Sequence, residues 1–174
     1  MKQTLSFLMF IALAYTQKEA PTFFLPTLDG ENFFASELYG EKAKQPKVTV
    51  ISFSASWCAP CQKEIKGLDS LSVKFTKVGF YLIDYKEKKD IVQKWYNRLK
   101  TKIPILLDQY GLVAKKFGVT SAEDTGGLSV ILPQLFVINE KGEIIYSHTG
   151  YKDNDAKTLE DILTQRQDNE KKIE

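Results

Sequence analysis

Val48-Thr49-Val50-Ile51-Ser52-Phe53 runs directly into Ser54-Ala55-Ser56-Trp57-Cys58-Ala59-Pro60-Cys61-Gln62-Lys63-Glu64. The first six residues are β-branched or apolar for the most part and read as a central strand. Ser54 to Cys58 reads as a loop. A helix is expected to follow from Ala59 or Pro60, with Ile65, Leu68, Leu71 and Phe75 recurring at helical spacing on one face. Pro60 suits the first turn, where its missing N–H is not needed. The two cysteines thus sit where a buried strand hands over to a helix N-terminus.

A CxxC pair in that context has three readings. As half of a zinc site it lacks partners, because the chain holds two cysteines and one histidine, too few for four Cys/His ligands. As a structural staple it closes so short a loop that chain entropy offers only about 2 kcal/mol. As a redox dithiol it is well placed. Unpaired N–H groups and the positive dipole end of the helix favour a thiolate at Cys58. A lowered thiol pKa raises the nucleophilic fraction near neutral pH. Cys61 lies one turn deeper on the same side, where it can resolve a mixed disulfide formed by Cys58. Cys58 is therefore expected to be the more exposed and more acidic thiol.

Composition narrows the remaining classes. The chain has 174 residues, 43% hydrophobic and 26% charged, as expected for one soluble domain. Lys and Arg total 24 against 22 Asp and Glu, a net charge of +2. Only Arg98 and Arg166 are arginines, so the forks that read phosphate and guanine are scarce, and no nucleic-acid partner is expected. At the N-terminus, Met1-Lys2-Gln3-Thr4 is a short basic start before an uncharged run from Leu5 to Tyr15. That run would extend about 16 Å as a helix, against about 30 Å for a bilayer core. With small residues at Ala12 and Ala14, residues 1–16 read as a signal peptide, which implies export to a compartment where disulfides persist. The expected organisation is signal peptide 1–16, one domain over 20–168, and a frayed tail over 169–174.

Along the domain, Ala20 to Leu28 reads as an extended edge segment that Phe33-Phe34 completes as a small hairpin, turned at Asp29-Gly30. Val78 to Asp84 reads as a second buried strand. Asp90 can cap a helix to Leu99 with Ile91, Trp95 and Leu99 inward. Ile103 to Leu107 is a third strand, and Tyr110 to Phe117 a helix closed by Gly118. Thr120 to Ser129, containing Gly126-Gly127, reads as a loop. Leu135 to Ile138 and Glu143 to Ser147 form a hairpin around Asn139 to Gly142. Asp155 to Asn169 reads as a helix with Leu159, Ile162 and Leu163 inward. Alternating strands and helices predict an α/β fold with parallel pairing, and the late hairpin makes the sheet mixed. His148 and the charged run Lys86 to Asp90 read as surface.

Ser52 to Glu64 resembles the active-site segment of thioredoxin-like proteins, closest to the exported TlpA/ResA type of thiol-disulfide oxidoreductase. Three further stretches match in order: Ala20 to Leu25 with Asp29-Gly30, Ile103 to Asp108 through Val119, and Leu132 to Ile145. Together they cover roughly residues 20–165. The resemblance implies a thioredoxin fold, with helices on both faces of a central mixed sheet, an N-terminal β-hairpin and an inserted βα unit. It implies that Cys58 attacks substrate disulfides and Cys61 resolves them, with no organic cofactor and no metal. Pro133 matches the family's cis-proline beside the dithiol. Glu64 matches a glutamate that can raise the thiol pKa values or relay a proton, and Trp57 would shield the dithiol by packing. Implied partners are disulfide-bonded exported proteins, among them apocytochrome c, and a membrane thiol electron donor. The protein would be a periplasmic or otherwise extracytoplasmic monomer working as a reductase. A disulfide-forming oxidase on the same fold and a non-enzymatic binding module are the alternatives.

Departures from the pattern bear on substrate choice. Ser52 stands where thioredoxin buries an aspartate, Lys66 where a helix-kinking proline is common, and Gln134 follows the cis-proline position. The connection from Thr120 to Ile131 is long for a helix-to-strand link. It is expected to lie beside Cys58 and screen substrates, with Glu123 and Asp124 giving its rim a negative charge.

Overall fold

The computed structural model describes residues 18–122 and 128–170. A first hairpin pairs β1 (Phe24–Pro26) with β2 (Asn32–Phe34) and leads through a 3-10 turn at Ala35–Glu37. The chain continues through β3 (Thr49–Ser54), α1 (Ala59–Lys74), β4 (Gly79–Tyr85), α2 (Lys89–Leu99), β5 (Ile105–Asp108) and α3 (Leu112–Phe117). Next come β6 (Thr120–Ala122), β7 (Leu128–Val130), β8 (Gln134–Ile138), β9 (Ile144–Thr149) and α4 (Asp155–Glu170). The central sheet has the order β5-β4-β3-β8-β9. β3 runs parallel to β4 and antiparallel to β8. The predicted mixed sheet with helices on both faces and an N-terminal hairpin is therefore present. The proposed signal peptide and residues 171–174 lie outside the described residues. Among those described, no helix is long and apolar enough to cross a membrane.

Strand alternation divides the core between the two faces of the sheet. Val50, Leu82, Leu135 and Val137 pack with Ile65, Leu68 and Leu71 of α1 and Leu159 and Leu163 of α4. Ile51, Phe53, Phe136 and Ile138 pack on the opposite side with Phe117 and with Phe23 and Leu25 of the first hairpin. Phe53, Phe117 and Phe136 form an aromatic trio with centroids 5.4, 5.9 and 5.1 Å apart, and such pairs add about 0.5–1.5 kcal/mol each beyond area burial. Cys58 and Cys61 are packed in this second cluster. Gly67 lies where α1 meets α4: a Cβ there would be 3.0 Å from Ala156 Cβ, so the two helices approach closely only because a side chain is missing.

Three local readings change. Helix α2 begins at Lys89, its capping residue is Lys88, and Asp90 instead occupies the first turn, where the dipole favours its charge. Val92 and Trp95 face the core while Ile91 is exposed, because Val92, Trp95 and Leu99 share one stripe and Ile91 falls beside it. The connection after Val119 is not a plain loop. Thr120 pairs with Val130 and Ser121 with Ser129 as an antiparallel hairpin, and the two serine hydroxyls bond at 2.7 Å. Val130 packs against the cluster that contains both cysteines. Residues 123–127, including Glu123, Asp124 and Gly126-Gly127, lie outside the described residues.

Candidate active site

The site grows from the β3–α1 junction. Cys58 is the N-cap of α1, with φ −86° and ψ 95°, and its Sγ accepts a hydrogen bond from the Cys61 N–H at 3.2 Å. One of the helix's orphan donors thus points at sulfur. Pro60 occupies the first turn. Cys58 and Cys61 form a disulfide with Cα atoms 5.3 Å apart. Both residues are buried, Cys58 at 4% exposed and Cys61 at 0%, so Cys58 is the outer of the two. Trp57 stands 60% exposed at the tip of the turn. It is therefore not a core tryptophan. The tight turn closed by the Cys58 N–H on Ala55 O at 3.1 Å leaves its ring on the outside.

Pro133 enters from β8. The Leu132–Pro133 bond is cis. Phe53 pairs with Gln134, so Pro133 falls beside Ser54, at the end of the sheet where the cysteine turn begins. Leu132 belongs to the same packed cluster as Cys58 and Cys61. The Gly150 N–H donates to Pro133 O at 2.8 Å and ties β9 to this corner.

Glu64 is buried, one helical turn after Cys61. Its Oε2 accepts the Ser52 hydroxyl proton. Its Oε1 lies 3.2 Å from His148 Nε2. His148, read as a surface residue from sequence, has a side chain only 13% exposed. Its Nδ1 is 2.9 Å from Gly150 O and 3.8 Å from Asp155 Oδ2. Burial alone would lower the His148 pKa. Hydrogen bonding and charge attraction to Glu64, the Asp155 charge and the Gly150 carbonyl outweigh that and hold it above its ordinary value. A pocket of about 110 Å³ between α1 and α4 borders this group, lined by Glu64, Gly67, His148, Tyr151, Asp155 and Leu159 among others. The missed signal was alternation. Leu135 pairs with His148 and Val137 with Tyr146, so His148 shares the face of two core residues.

A second acidic group lies on the other flank of the turn. Glu87, within the run read as surface, accepts the Ser56 N–H and the Ser56 hydroxyl on its two oxygens. That clamps the residue two before Cys58. Asp84, opposite Ser54 in the sheet, is 1% exposed. Burial first, then the hydrogen bond and like charge of Glu87 and the more distant Asp108 charge, push its pKa up to about 8. Asp108 is also buried, and its Oδ2 accepts the Ala114 N–H at 2.8 Å at the start of α3.

A family model described as the AhpC/TSA family matches residues 16–147. The chain belongs to that family. It is 27% identical over 135 residues to thiol-disulfide oxidoreductase ResA of Bacillus cereus, covering 76% of this chain and 69% of that protein. It is 29% identical over 129 residues to sporulation thiol-disulfide oxidoreductase A of Bacillus subtilis, covering 70% and 67%. The solved structure of a putative thiol:disulfide interchange protein DsbE from Chlorobium tepidum superposes with a TM-score of 0.71 at 22% identity, covering 85% of this chain and 95% of that one. With its thioredoxin-like fold and Cys58–Cys61 pair, this family member is a thiol-disulfide oxidoreductase.

Proposed function

We propose that the protein is exported and reduces disulfides in other exported proteins, with Cys58 as nucleophile and Cys61 as resolving thiol. The observation that carries the reading is the Cys58 sulfur capping α1 with Cys61 bonded to it from inside the helix. In the reduced protein, Cys58 thiolate attacks one sulfur of a substrate disulfide. The substrate S–S bond breaks and its other sulfur leaves as thiolate. Cys61 then loses its proton and attacks Cys58 Sγ, and the second substrate sulfur leaves with the bonding pair. Two electrons pass to the substrate and the Cys58–Cys61 disulfide remains. A membrane dithiol donor returns the pair to the reduced state, so the cysteines are the only redox centre needed. Pro133 presents backbone to an extended substrate beside Cys58, and exposed Trp57 offers the substrate an apolar contact. Glu64 exchanges a proton with the Cys61 thiol. Apocytochrome c belongs to the substrate class this reading implies.

Insulin reduction with a dithiol donor, together with the reduction potential of the pair, tests the proposal. A potential near thioredoxin's, about −270 mV, is expected; a value near DsbA's, about −120 mV, would reassign the protein to disulfide formation. Absence of any exchange activity would leave only a binding module.

A further inference from the structure

The tautomer of His148 follows from its contacts. Gly150 O can only accept, so the Nδ1 atom 2.9 Å away carries a hydrogen. Nε2 lies 3.2 Å from Glu64 Oε1, a buried oxygen with no other hydrogen-bond partner among the described residues, so the two atoms are placed to share one proton. The Glu64–His148 pair thus offers one proton a place between its two atoms. Ser52 fixes the other Glu64 oxygen, and Cys61 precedes Glu64 by one turn of α1, on a neighbouring position of the helix surface.

We propose that His148 is a positioning residue that takes up, through Glu64, the proton the Cys61 thiol releases when it resolves the mixed disulfide. The inference rests on the dithiol reading above and on Glu64 as the carboxylate beside it. Before resolution, Cys61 carries its proton and the Glu64–His148 pair is empty. Cys61 S–H gives that proton to Glu64, and His148 Nε2 takes it over. The thiolate attacks Cys58 Sγ, and the substrate sulfur leaves with the electron pair of the broken bond. The pair ends loaded in the disulfide state. When the donor dithiol later breaks the Cys58–Cys61 bond, the same proton returns to Cys61. One proton thus passes between sulfur and imidazole, and none is gained or lost. The charged and titratable groups facing the imidazole are Glu64 and Lys63 from α1, Asp155 at the start of α4, Tyr151 in the preceding turn and Tyr146 on β9 itself. Asp155 Oδ2 is engaged by the Lys152 N–H at 2.6 Å, which leaves Glu64 as the direct partner of Nε2.

Ellman's reagent gives the test. Reduced protein releases one thionitrobenzoate when Cys58 attacks and a second when Cys61 resolves. In the wild type the second release should speed up about tenfold or more as pH rises through the His148 midpoint. NMR reads that midpoint without ambiguity, since the chain has one histidine. His148→Gln keeps a donor to Glu64 but cannot titrate, and its second release should lose the inflection. A kinetic midpoint that differs from the NMR midpoint in the wild type overturns the proposal without any variant. A His148→Gln profile that keeps the wild-type inflection, or is lowered evenly at all pH, also overturns it. If Glu64→Gln removes the inflection and His148→Gln does not, the Glu64 role stands and that of His148 fails. If both keep it while Cys61→Ser abolishes the second release, the Glu64 role fails and the dithiol reading survives.

Discussion

Asp84→Asn should make the protein more stable at neutral pH, by an amount that grows with pH. The carboxyl is 1% exposed, and neither oxygen meets a hydrogen-bond partner in good geometry among the described residues. Its pKa stands at about 8 in the fold against 3.8 for the unperturbed group. Between those values the folded chain holds a proton that the unfolded chain has released. Stability therefore falls as pH rises across that window, and levels off above about pH 8. The full rise is equivalent to roughly 6 kcal/mol, and the part expressed by pH 7 to roughly 4. Asparagine resembles the protonated acid in shape and keeps an N–H to offer Glu87, but it has nothing to titrate.

The measurement is urea unfolding of the oxidised wild type and variant at pH 5, 6, 7, 8 and 9, with the disulfide intact throughout. The gain in Asp84→Asn should increase by about 1 kcal/mol per pH unit between pH 5 and 7, and flatten above pH 8. Local relaxation and water entry reduce the absolute gain at pH 7 to between about 1 and 4 kcal/mol, so the slope is the sharper readout. A difference between the two proteins that does not vary from pH 5 to 8 would refute the reasoning, as would a variant less stable at every pH.

Two further outcomes follow from the same geometry. Glu87→Ala removes both acceptors of Ser56; it should cost about 1–2 kcal/mol and lower Tm by about 3–6 °C, and insulin reduction should slow more than this loss of stability explains. Gly67→Leu forces a side chain into the α1–α4 contact at Ala156; it should cost about 1–3 kcal/mol in urea unfolding and displace the NMR titration of His148, whereas an unchanged titration would show that the helix contact does not hold the Glu64–His148 pair.

The motif and its immediate context were legible because they are local. A β-branched run, a turn and an amphipathic helix with Pro60 in its first turn place two sulfurs by chain geometry alone, and the structure returns Cys58 as the cap. The position of Pro133 was legible through the resemblance: it heads the apolar run Leu135 to Ile138 where the thioredoxin-like pattern has its cis-proline. Helix α2 was misjudged by two residues at its start, since Asp90 is a better cap in isolation than Lys88, and burial of Val92 and Trp95 overrode that preference. The exposure of Trp57 was not legible, because it is set by the turn closed on Ala55 O.

What escaped the sequence was pairing across the fold. Glu64 and His148 are far apart in the chain and meet because β9 is registered against β8, β8 against β3, and α1 packs over that face. A lone histidine on a marginal strand carries no local sign of such a partner. Glu87 and Asp84 were hidden in the same way: one sits in a lysine-rich run that reads as solvated, the other at the end of an apolar strand. The two acidic groups nevertheless occupy equivalent mechanical positions. Glu87 fixes the turn before Cys58 from the β4 side, and Glu64 stands after Cys61 with Ser52 bonded to one oxygen and His148 3.2 Å from the other. The dithiol is thus bracketed by one carboxylate that anchors backbone and one that is wired to a titrating imidazole. Only the second has a route by which pH can reach the sulfurs, which is why the Ellman profile and the urea profile should respond to different substitutions: His148→Gln should alter the first and leave the Asp84 slope of the second in place.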